Sequence, residues 1–82
     1  MFFVYSIISE FDGRIYVGMS TDVEKRLIDH NSGGTKSTKS FRPWRLFFVE
    51  EVGKSRVEAR EREKYYKSGC GKEYLKKLVN PR

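Results

Sequence analysis

Apolar residues along the chain are grouped in segments whose spacing predicts three strands. The segment Phe2 to Ile8 is rich in β-branched and aromatic residues and predicts a first strand. Asp12-Gly13 is a strong turn signal, so Arg14 to Met19 is predicted to be the second strand of a hairpin. The near-continuous apolar run Leu46 to Val49 predicts a third strand that is covered on both faces.

Polar segments with helical spacing separate and follow these strands. The first predicted helix runs from Val23 to about His30, after the N-cap candidates Ser20-Thr21-Asp22, and Asn31 to Gly34 end it. The second runs from Arg56 to Lys67, with Ser55 as its cap and Gly69 at its end. The third runs from Lys72 to Val79. Together the elements predict an α/β (α+β) fold in one domain, residues 1–82. Its small, mainly antiparallel three-stranded sheet is flanked by helices in the order β-β-α-β-α-α.

Two tyrosines of the predicted hairpin are expected to share one face of the sheet. A turn closed at Phe11–Arg14 pairs odd positions of the first strand with even positions of the second, and a turn centred on Glu10-Phe11 does the same. In both registers Tyr5 and Tyr16 point to the same side. Gly18 lies beside them, and a glycine within a strand often marks a close approach by backbone or ligand.

The first two predicted helices place polar side chains in positions that core packing does not explain. Arg26 and His30 follow each other at i, i+4 spacing on the first helix. On the second helix Ala59, Glu63 and Tyr66 fall on one stripe, and the small Ala59 allows a close approach to the sheet. That approach would carry the Glu63 carboxylate inward, which is costly unless a partner compensates it.

Charge and cysteine content narrow the class of protein. A net charge of +6 over 82 residues favours an anionic partner, with nucleic acid as the first candidate and a basic surface without a specific partner as the alternative. The single cysteine, Cys70, excludes a disulfide within the chain and a cysteine-based zinc site. We therefore expect a reducing compartment and a cytoplasmic location. No apolar run approaches a membrane span, and the segment Met1 to Tyr5 is expected to be a strand and not a signal peptide.

Motifs spread over the whole chain resemble the GIY-YIG endonuclease domain, in its small stand-alone subgroup. The two half-motifs correspond to Phe3-Val4-Tyr5 and Tyr16-Val17-Gly18. Phe3 occupies the place of the name-giving glycine. The segment Asp22 to Leu27 is similar to the family's arginine-bearing helix. The remaining matches are Lys36-Ser37-Thr38-Lys39 before Arg42-Pro43-Trp44, Ala59 followed by Glu63-Lys64, and a late asparagine at Asn80.

This resemblance implies hydrolysis of DNA phosphodiester bonds with one divalent metal ion, Mg²⁺ or alternatively Mn²⁺. Glu63 would ligate the metal, because a carboxylate suits a hard cation that keeps most of its waters. Tyr5 or Tyr16 would help to deprotonate the attacking water. A phenol has an ordinary pKa of about 10, so Arg26 and the metal would have to lower that pKa.

The resemblance also implies roles for the remaining candidates. Arg26 would hold the scissile phosphate, and His30 would contact the phosphate or assist the second tyrosine. Asn80 would orient the phosphate or stiffen the metal site, and Gly18 would leave room for the DNA backbone. DNA contacts are also expected from the cations of the long polar loop, which are Lys36, Lys39 and Arg42.

Each candidate also has an ordinary structural reading. The tyrosines could be cross-strand aromatic residues, and His30 could simply interact with a helix end. Glu63 could belong to a surface network of weak ion pairs with the cations around it, which are Arg60, Arg62, Lys64 and Lys67. The first hypothesis is a metal-dependent endonuclease, with structure selectivity and a part in DNA repair as further expectations. The alternatives are a non-catalytic nucleic-acid-binding module and a small domain that binds an acidic protein.

Overall fold

The computed structural model describes residues 1–79, and its elements confirm the predicted order β-β-α-β-α-α. The elements are β1 (Phe2–Ser9), β2 (Ile15–Ser20), α1 (Val23–Ser32), β3 (Trp44–Gly53), α2 (Arg56–Lys67) and α3 (Gly69–Val79), with a short 3-10 turn (Lys39–Phe41) before β3. The predicted site residue Asn80 lies outside the described residues. No helix within residues 1–79 has the length and apolar character needed to cross a membrane.

The three strands form one antiparallel sheet, as the sequence predicted, and their order across the sheet is β2-β1-β3. The central strand is β1, in which residues 4–7 are all buried. The prediction that Leu46 to Val49 is covered on both faces holds in part, because Leu46 packs on the face of α1 and Phe47 packs on the face of α2 and α3. These residues belong to the longer edge strand β3, and Val49 is 45% exposed. A continuous apolar run shows that a strand is apolar, but its place in the sheet depends on tertiary packing.

The hairpin register places both tyrosines on one face, as predicted. Tyr5 pairs with Gly18, and Ile7 pairs with Tyr16. The hairpin closes through a hydrogen bond from Ser9 N to Arg14 O of 2.9 Å, which is neither of the two predicted closures. All three closures pair odd with even positions, and this parity alone decides which side chains share a face.

The helices cover the two faces of the sheet separately. On one face Val23 and Leu27 of α1 pack against Tyr5 and the neighbouring apolar residues. On the other face Tyr66 of α2 and Leu75 of α3 form a second apolar cluster with strand residues. The sheet is therefore a layer between α1 and the α2–α3 pair, and residues on its faces contribute to two small cores.

Helix ends follow the predicted capping residues at three of four sites. Asp22 caps α1, Gly33 ends α1 in the left-handed region with φ of 86°, and Ser55 caps α2. The end of α2 differs from the prediction: Ser68 occupies the C-cap position, and Gly69 begins α3 three residues before the predicted start. The serine replaces glycine at this junction because its backbone is extended, with φ of −76° and ψ of 169°, so no left-handed residue is needed.

A backbone approach between α2 and α3 depends on Gly71. A Cβ atom at this position would lie 2.2 Å from the carbonyl oxygen of Tyr65 and 2.5 Å from the Cα of Tyr66. Both atoms belong to the backbone of α2, which cannot turn aside as a side chain can. The absent side chain at Gly71 therefore sets the distance between the two helices.

Candidate active site

A cleft of about 500 Å³ lies between α1 and α2 and is lined by five of the ten predicted site residues. The sheet contributes Tyr5, Tyr16 and Gly18, α1 contributes Arg26, and α2 contributes Glu63. These five residues come from positions that are up to 58 residues apart in the sequence, and the fold brings them to one concave surface.

Gly18 makes room for the ring of Tyr5. A Cβ atom at Gly18 would lie 2.6 Å from the Tyr5 hydroxyl oxygen and 2.7 Å from its Cζ. Any side chain at position 18 would therefore displace the tyrosine from its buried position. The sequence suggested that Gly18 leaves space for the DNA backbone; the glycine does line the cleft, but the space directly over its Cα is filled by Tyr5.

Behind Tyr5, a line of buried hydrogen bonds leads away from the cleft. The Tyr5 hydroxyl lies 2.8 Å from Nε2 of His30, and Nδ1 of His30 lies 2.8 Å from Oγ1 of Thr38. His30 is fully buried, so it is not placed to contact a phosphate in the cleft, one of the two roles expected for it. The His30 ring also packs edge to face against Tyr16, with 5.0 Å between ring centroids, so both tyrosines of the hairpin contact the imidazole.

Burial shifts the pKa values of Tyr5 and His30 in opposite directions, and both shifts favour the neutral form of the side chain. Burial raises the pKa of Tyr5, although the neighbouring Arg26 guanidinium opposes this effect. Burial and the Arg26 charge both lower the pKa of His30. The Arg26 guanidinium acts on the pKa of Tyr5 in the expected direction, but the loss of solvation on burial is the larger effect. At neutral pH, Tyr5 is a phenol and His30 is a neutral imidazole.

Glu63 faces the cleft from α2, with its side chain only 12% exposed. The predicted inward stripe is present, because Ala59 and Tyr66 on the same helix are buried. The Glu63 carboxylate forms ion pairs with Arg60 at 3.6 Å and with Lys67 at 3.2 Å. Cations of its own helix therefore partly compensate the inward-facing charge, in addition to any ligand in the cleft.

Arg62 and Tyr66 of α2 are joined to β3 by a hydrogen-bonded ion pair. Arg62 donates from Nε and Nη2 to the two oxygens of Glu50, at 2.7 and 2.9 Å, and the Tyr66 hydroxyl donates to the same carboxylate at 2.6 Å. Arg62 lowers the pKa of Glu50, and burial together with Glu50 raises the pKa of Tyr66 to about 12. This bidentate pairing fixes the rotation of α2, so that Glu63 points into the cleft.

A single carboxylate in an open cleft suits one class of metal ion. Among residues 1–79 no group of three or more histidine, cysteine, aspartate or glutamate side chains could enclose an ion. Zinc sites of the structural type need such a group. Mg²⁺ keeps several waters and is often bound by one or two carboxylates together with substrate phosphates. Glu63 and the volume of the cleft therefore fit Mg²⁺.

The predicted DNA-binding cations of the loop lie outside this cleft. Lys36, Lys39 and Arg42 are not among the residues that line it. Arg42 instead donates from Nε to the carbonyl of Lys39 at 2.8 Å, and its guanidinium packs beside Gly33. The structure therefore does not bring these three cations together with the tyrosines, and their contact with DNA stays a prediction.

Three cations of α2 line the cleft and were missed as binding residues. Arg56, Arg60 and Lys67 stand on the same wall as Glu63. The signal was present in the sequence, since these positions lie at i−7, i−3 and i+4 relative to Glu63 and so share one helix face with it. Other cations also surround Glu63, so in the sequence this face is not distinguished from a surface network of weak ion pairs.

Comparisons with known proteins agree with this geometry. The GIY-YIG catalytic domain matches residues 1–77. UPF0213 protein SSP2268 of Staphylococcus saprophyticus is 41% identical over 66 residues, which are 79% of each chain. UPF0213 protein SERP0126 of Staphylococcus epidermidis is 39% identical over 77 residues, covering 93% of this chain and 92% of the relative.

A solved structure supports the same relationship. The solution NMR structure of the UPF0213 protein BH0048 from Bacillus halodurans has a TM-score of 0.54 and 36% sequence identity, covering 95% of this chain and 85% of that one. Similarity of sequence and of fold therefore extends over nearly the whole described chain. The protein belongs to the GIY-YIG catalytic domain family and is related to the small UPF0213 proteins.

Proposed function

We propose that the protein is a metal-dependent endonuclease that hydrolyses phosphodiester bonds in DNA. The observation that carries the proposal is the convergence of Tyr5, Tyr16, Arg26 and Glu63 on one cleft. A nuclease needs a phosphate-binding cation, a path for the proton of the attacking water and a carboxylate for the metal. The cleft contains a residue suited to each task. We keep a cytoplasmic location and a part in DNA repair as further proposals.

Arg26 and Glu63 have complementary tasks in the proposed reaction. Arg26 binds the scissile phosphate and offsets the negative charge that grows in the transition state. Glu63 would hold the divalent cation, Mg²⁺ or Mn²⁺. When bound, that ion supplies Lewis-acid stabilisation of the phosphate oxygens.

We assign the activation of water to Tyr5, because among residues 1–79 it is the tyrosine of the cleft that has a proton acceptor behind it. The attacking water gives a proton to the Tyr5 oxygen while the Tyr5 hydroxyl passes its own proton to Nε2 of His30, 2.8 Å away. The water oxygen forms the new bond to phosphorus, and the bond to the leaving sugar oxygen breaks. That oxygen takes a proton from solvent, and His30 later returns its proton by the reverse path. This relay requires no phenolate, which suits the raised pKa of Tyr5.

Removal of the Tyr5 hydroxyl tests this assignment. In Tyr5→Phe we expect nicking of supercoiled plasmid with Mg²⁺ to fall about 10²- to 10⁴-fold, since the proton path is interrupted. The measurement is the single-turnover rate on plasmid and on a panel of branched and damaged DNA, with EDTA as the metal-free reference. The control is Tyr65→Phe on the exposed side of α2, which should cut at the wild-type rate.

Three outcomes would separate the alternatives. A large loss in Tyr16→Phe with little loss in Tyr5→Phe would transfer the role to Tyr16. Wild-type protein that cuts none of the substrates in the presence of Mg²⁺ or Mn²⁺ would overturn the enzyme proposal. Equal residual cutting by the wild type, Tyr5→Phe and Tyr16→Phe would identify the activity as a contaminant.

The second candidate is a non-catalytic module that binds nucleic acid, and the cationic wall of α2 favours it. Arg56, Arg60 and Lys67 face the same cleft as Arg26, so several cations could contact a phosphate backbone together. Such a surface binds without cleavage if the chemistry is absent. The enzyme and the module differ in the cleavage assay, and both require these cations.

A salt titration measures the part that this wall plays in binding. We expect Arg56→Ala to weaken binding to a fluorescent DNA duplex and to reduce the slope of log K against log salt by about one. Arg45→Ala is the matched control, because Arg45 is an exposed cation on the edge strand β3 and is absent from the cleft. Equal effects of the two substitutions would show that the overall charge drives binding and that the cleft does not.

A further inference from the structure

Thr38 is a buried residue of the polar loop, and several hydrogen bonds hold it in place. Its backbone N–H and its hydroxyl both donate to the carbonyl of Thr35, at 3.2 and 3.3 Å. Its own carbonyl accepts from Trp44 Nε1 at 2.8 Å and from the backbone N–H of Phe41 at 3.1 Å. The Thr38 side chain is fully buried. The position of its hydroxyl beside His30 is therefore fixed by the fold of the loop.

The single proton of this hydroxyl determines where the imidazole carries its own proton. The Thr35 carbonyl can only accept, so the Thr38 hydroxyl points its proton there and offers a lone pair to Nδ1 of His30. In that arrangement Nδ1 carries the ring proton. Nε2 then has a lone pair and accepts from the Tyr5 hydroxyl.

The opposite arrangement would make one hydrogen bond fewer among these groups. If the Thr38 hydroxyl donated to Nδ1, the Thr35 carbonyl would keep its backbone donors, the N–H groups of Thr38 and Lys39, and Nε2 would carry a proton directed at the Tyr5 oxygen. His30 could then take no proton from Tyr5, because Nε2 would already carry the ring proton and Nδ1 would accept from Thr38.

We propose that Thr38 is a positioning residue that fixes the tautomer of His30 with its proton on Nδ1 and thereby makes His30 the proton acceptor of Tyr5. The mechanistic part rests on the proposed function, whereas the tautomer is a property of the folded protein. Thr38 touches neither substrate nor metal and acts through His30 alone. The long polar loop is thus connected to the chemistry of the cleft through a buried hydroxyl and not only through its surface cations.

The chain has one histidine, so the tautomer can be measured without assignment. In ¹⁵N-labelled wild-type protein near neutral pH, a long-range ¹H–¹⁵N correlation spectrum should show a protonated, pyrrole-type Nδ1 and an unprotonated, pyridine-type Nε2. In Thr38→Val, whose side chain has nearly the same shape, Nδ1 loses its acceptor. The ring proton should then move to Nε2, where the Tyr5 oxygen can accept it. Thr38→Ser keeps the hydroxyl and should show the wild-type pattern.

Cleavage kinetics give the second readout. We expect Thr38→Val to lower kcat at least about 10-fold, and at most by the roughly 10⁴-fold that a complete proton relay contributes, while KM for plasmid DNA stays unchanged. Thr38→Ser should restore kcat to within about 3-fold of the wild type. A merely structural threonine would change thermal stability in Thr38→Val without this separation of kcat from KM.

The two proposals fail in different ways. A wild-type spectrum with the proton on Nε2 overturns the role of Thr38, even if the protein cleaves DNA. A wild-type spectrum with the proton on Nδ1 but no cleavage of any DNA supports the tautomer and overturns the proposed nuclease. If Thr38→Val does not fold, the wild-type spectrum and the Thr38→Ser variant still decide the question.

Discussion

Replacement of Glu63 by glutamine is expected to lower Mg²⁺-dependent cleavage about 10²- to 10⁴-fold, because metal-ion stabilisation of a transition state is worth several kcal/mol. Glutamine has nearly the shape of glutamate and keeps one oxygen, but it lacks the charge that attracts a hard cation. In the folded protein only 12% of the Glu63 side chain is exposed, and it faces the cleft. The measurement is the single-turnover rate as a function of Mg²⁺ concentration.

The matched control for this substitution is Glu61→Gln. Glu61 stands on the same helix, but it is exposed and does not line the cleft. It should cleave at the wild-type rate. Binding of DNA adds a second distinction, because Glu63→Gln removes a negative charge from a cationic cleft and should bind DNA at least as tightly as the wild type. Equal cleavage by Glu63→Gln and the wild type would remove Glu63 from the site.

The largest effect on stability is expected for Gly71→Ala, at about 3 kcal/mol. The new Cβ would lie 2.2 Å from a carbonyl oxygen of α2, so the two helices must separate. Their separation would loosen the packing of Tyr66 and Leu75, which belong to one buried cluster. A loss of this size corresponds to a fall in Tm of roughly 12–24 °C for a domain of this length. Urea unfolding and thermal melting followed by circular dichroism provide the measurement.

Gly69→Ala is the control two residues earlier in the same helix. A Cβ atom there would meet no atom within 4 Å, and its backbone is not in the left-handed region. The expected change is within about 0.5 kcal/mol, because a surface substitution in a compatible conformation has little effect. Similar losses in both variants would show that the close approach at Gly71 does not control stability.

The order of elements and the face shared by the tyrosines could be predicted because both depend on local patterns. Strand parity placed Tyr5 and Tyr16 together even though the observed register differs by two residues from either predicted register. The position of a strand within the sheet has no such local signal. The apolar run Leu46 to Val49 predicted a strand covered on both faces, yet this strand lies at the edge of the sheet and Val49 is half exposed.

The candidate site shows the same division. Motif resemblance identified Tyr5, Tyr16, Arg26 and Glu63, and all four line one cleft. Thr38 could not be selected, since its contact with His30 depends on the path of a loop without periodic pattern. The raised pKa of Tyr5 was also unpredictable from sequence, because the balance between burial and the Arg26 charge is decided by depth in the fold.

Because Tyr5 packs against Gly18, substitutions in the two half-motifs are expected to depend on each other. While a tyrosine occupies position 5, the atoms of its ring exclude a methyl group at position 18, so glycine is the only residue that fits there. A substitution at position 18 can be accepted only after position 5 has become smaller, and that first step would already remove the hydroxyl from the cleft. Two residues thirteen positions apart in the sequence are therefore expected to be gained or lost together during the divergence of such chains.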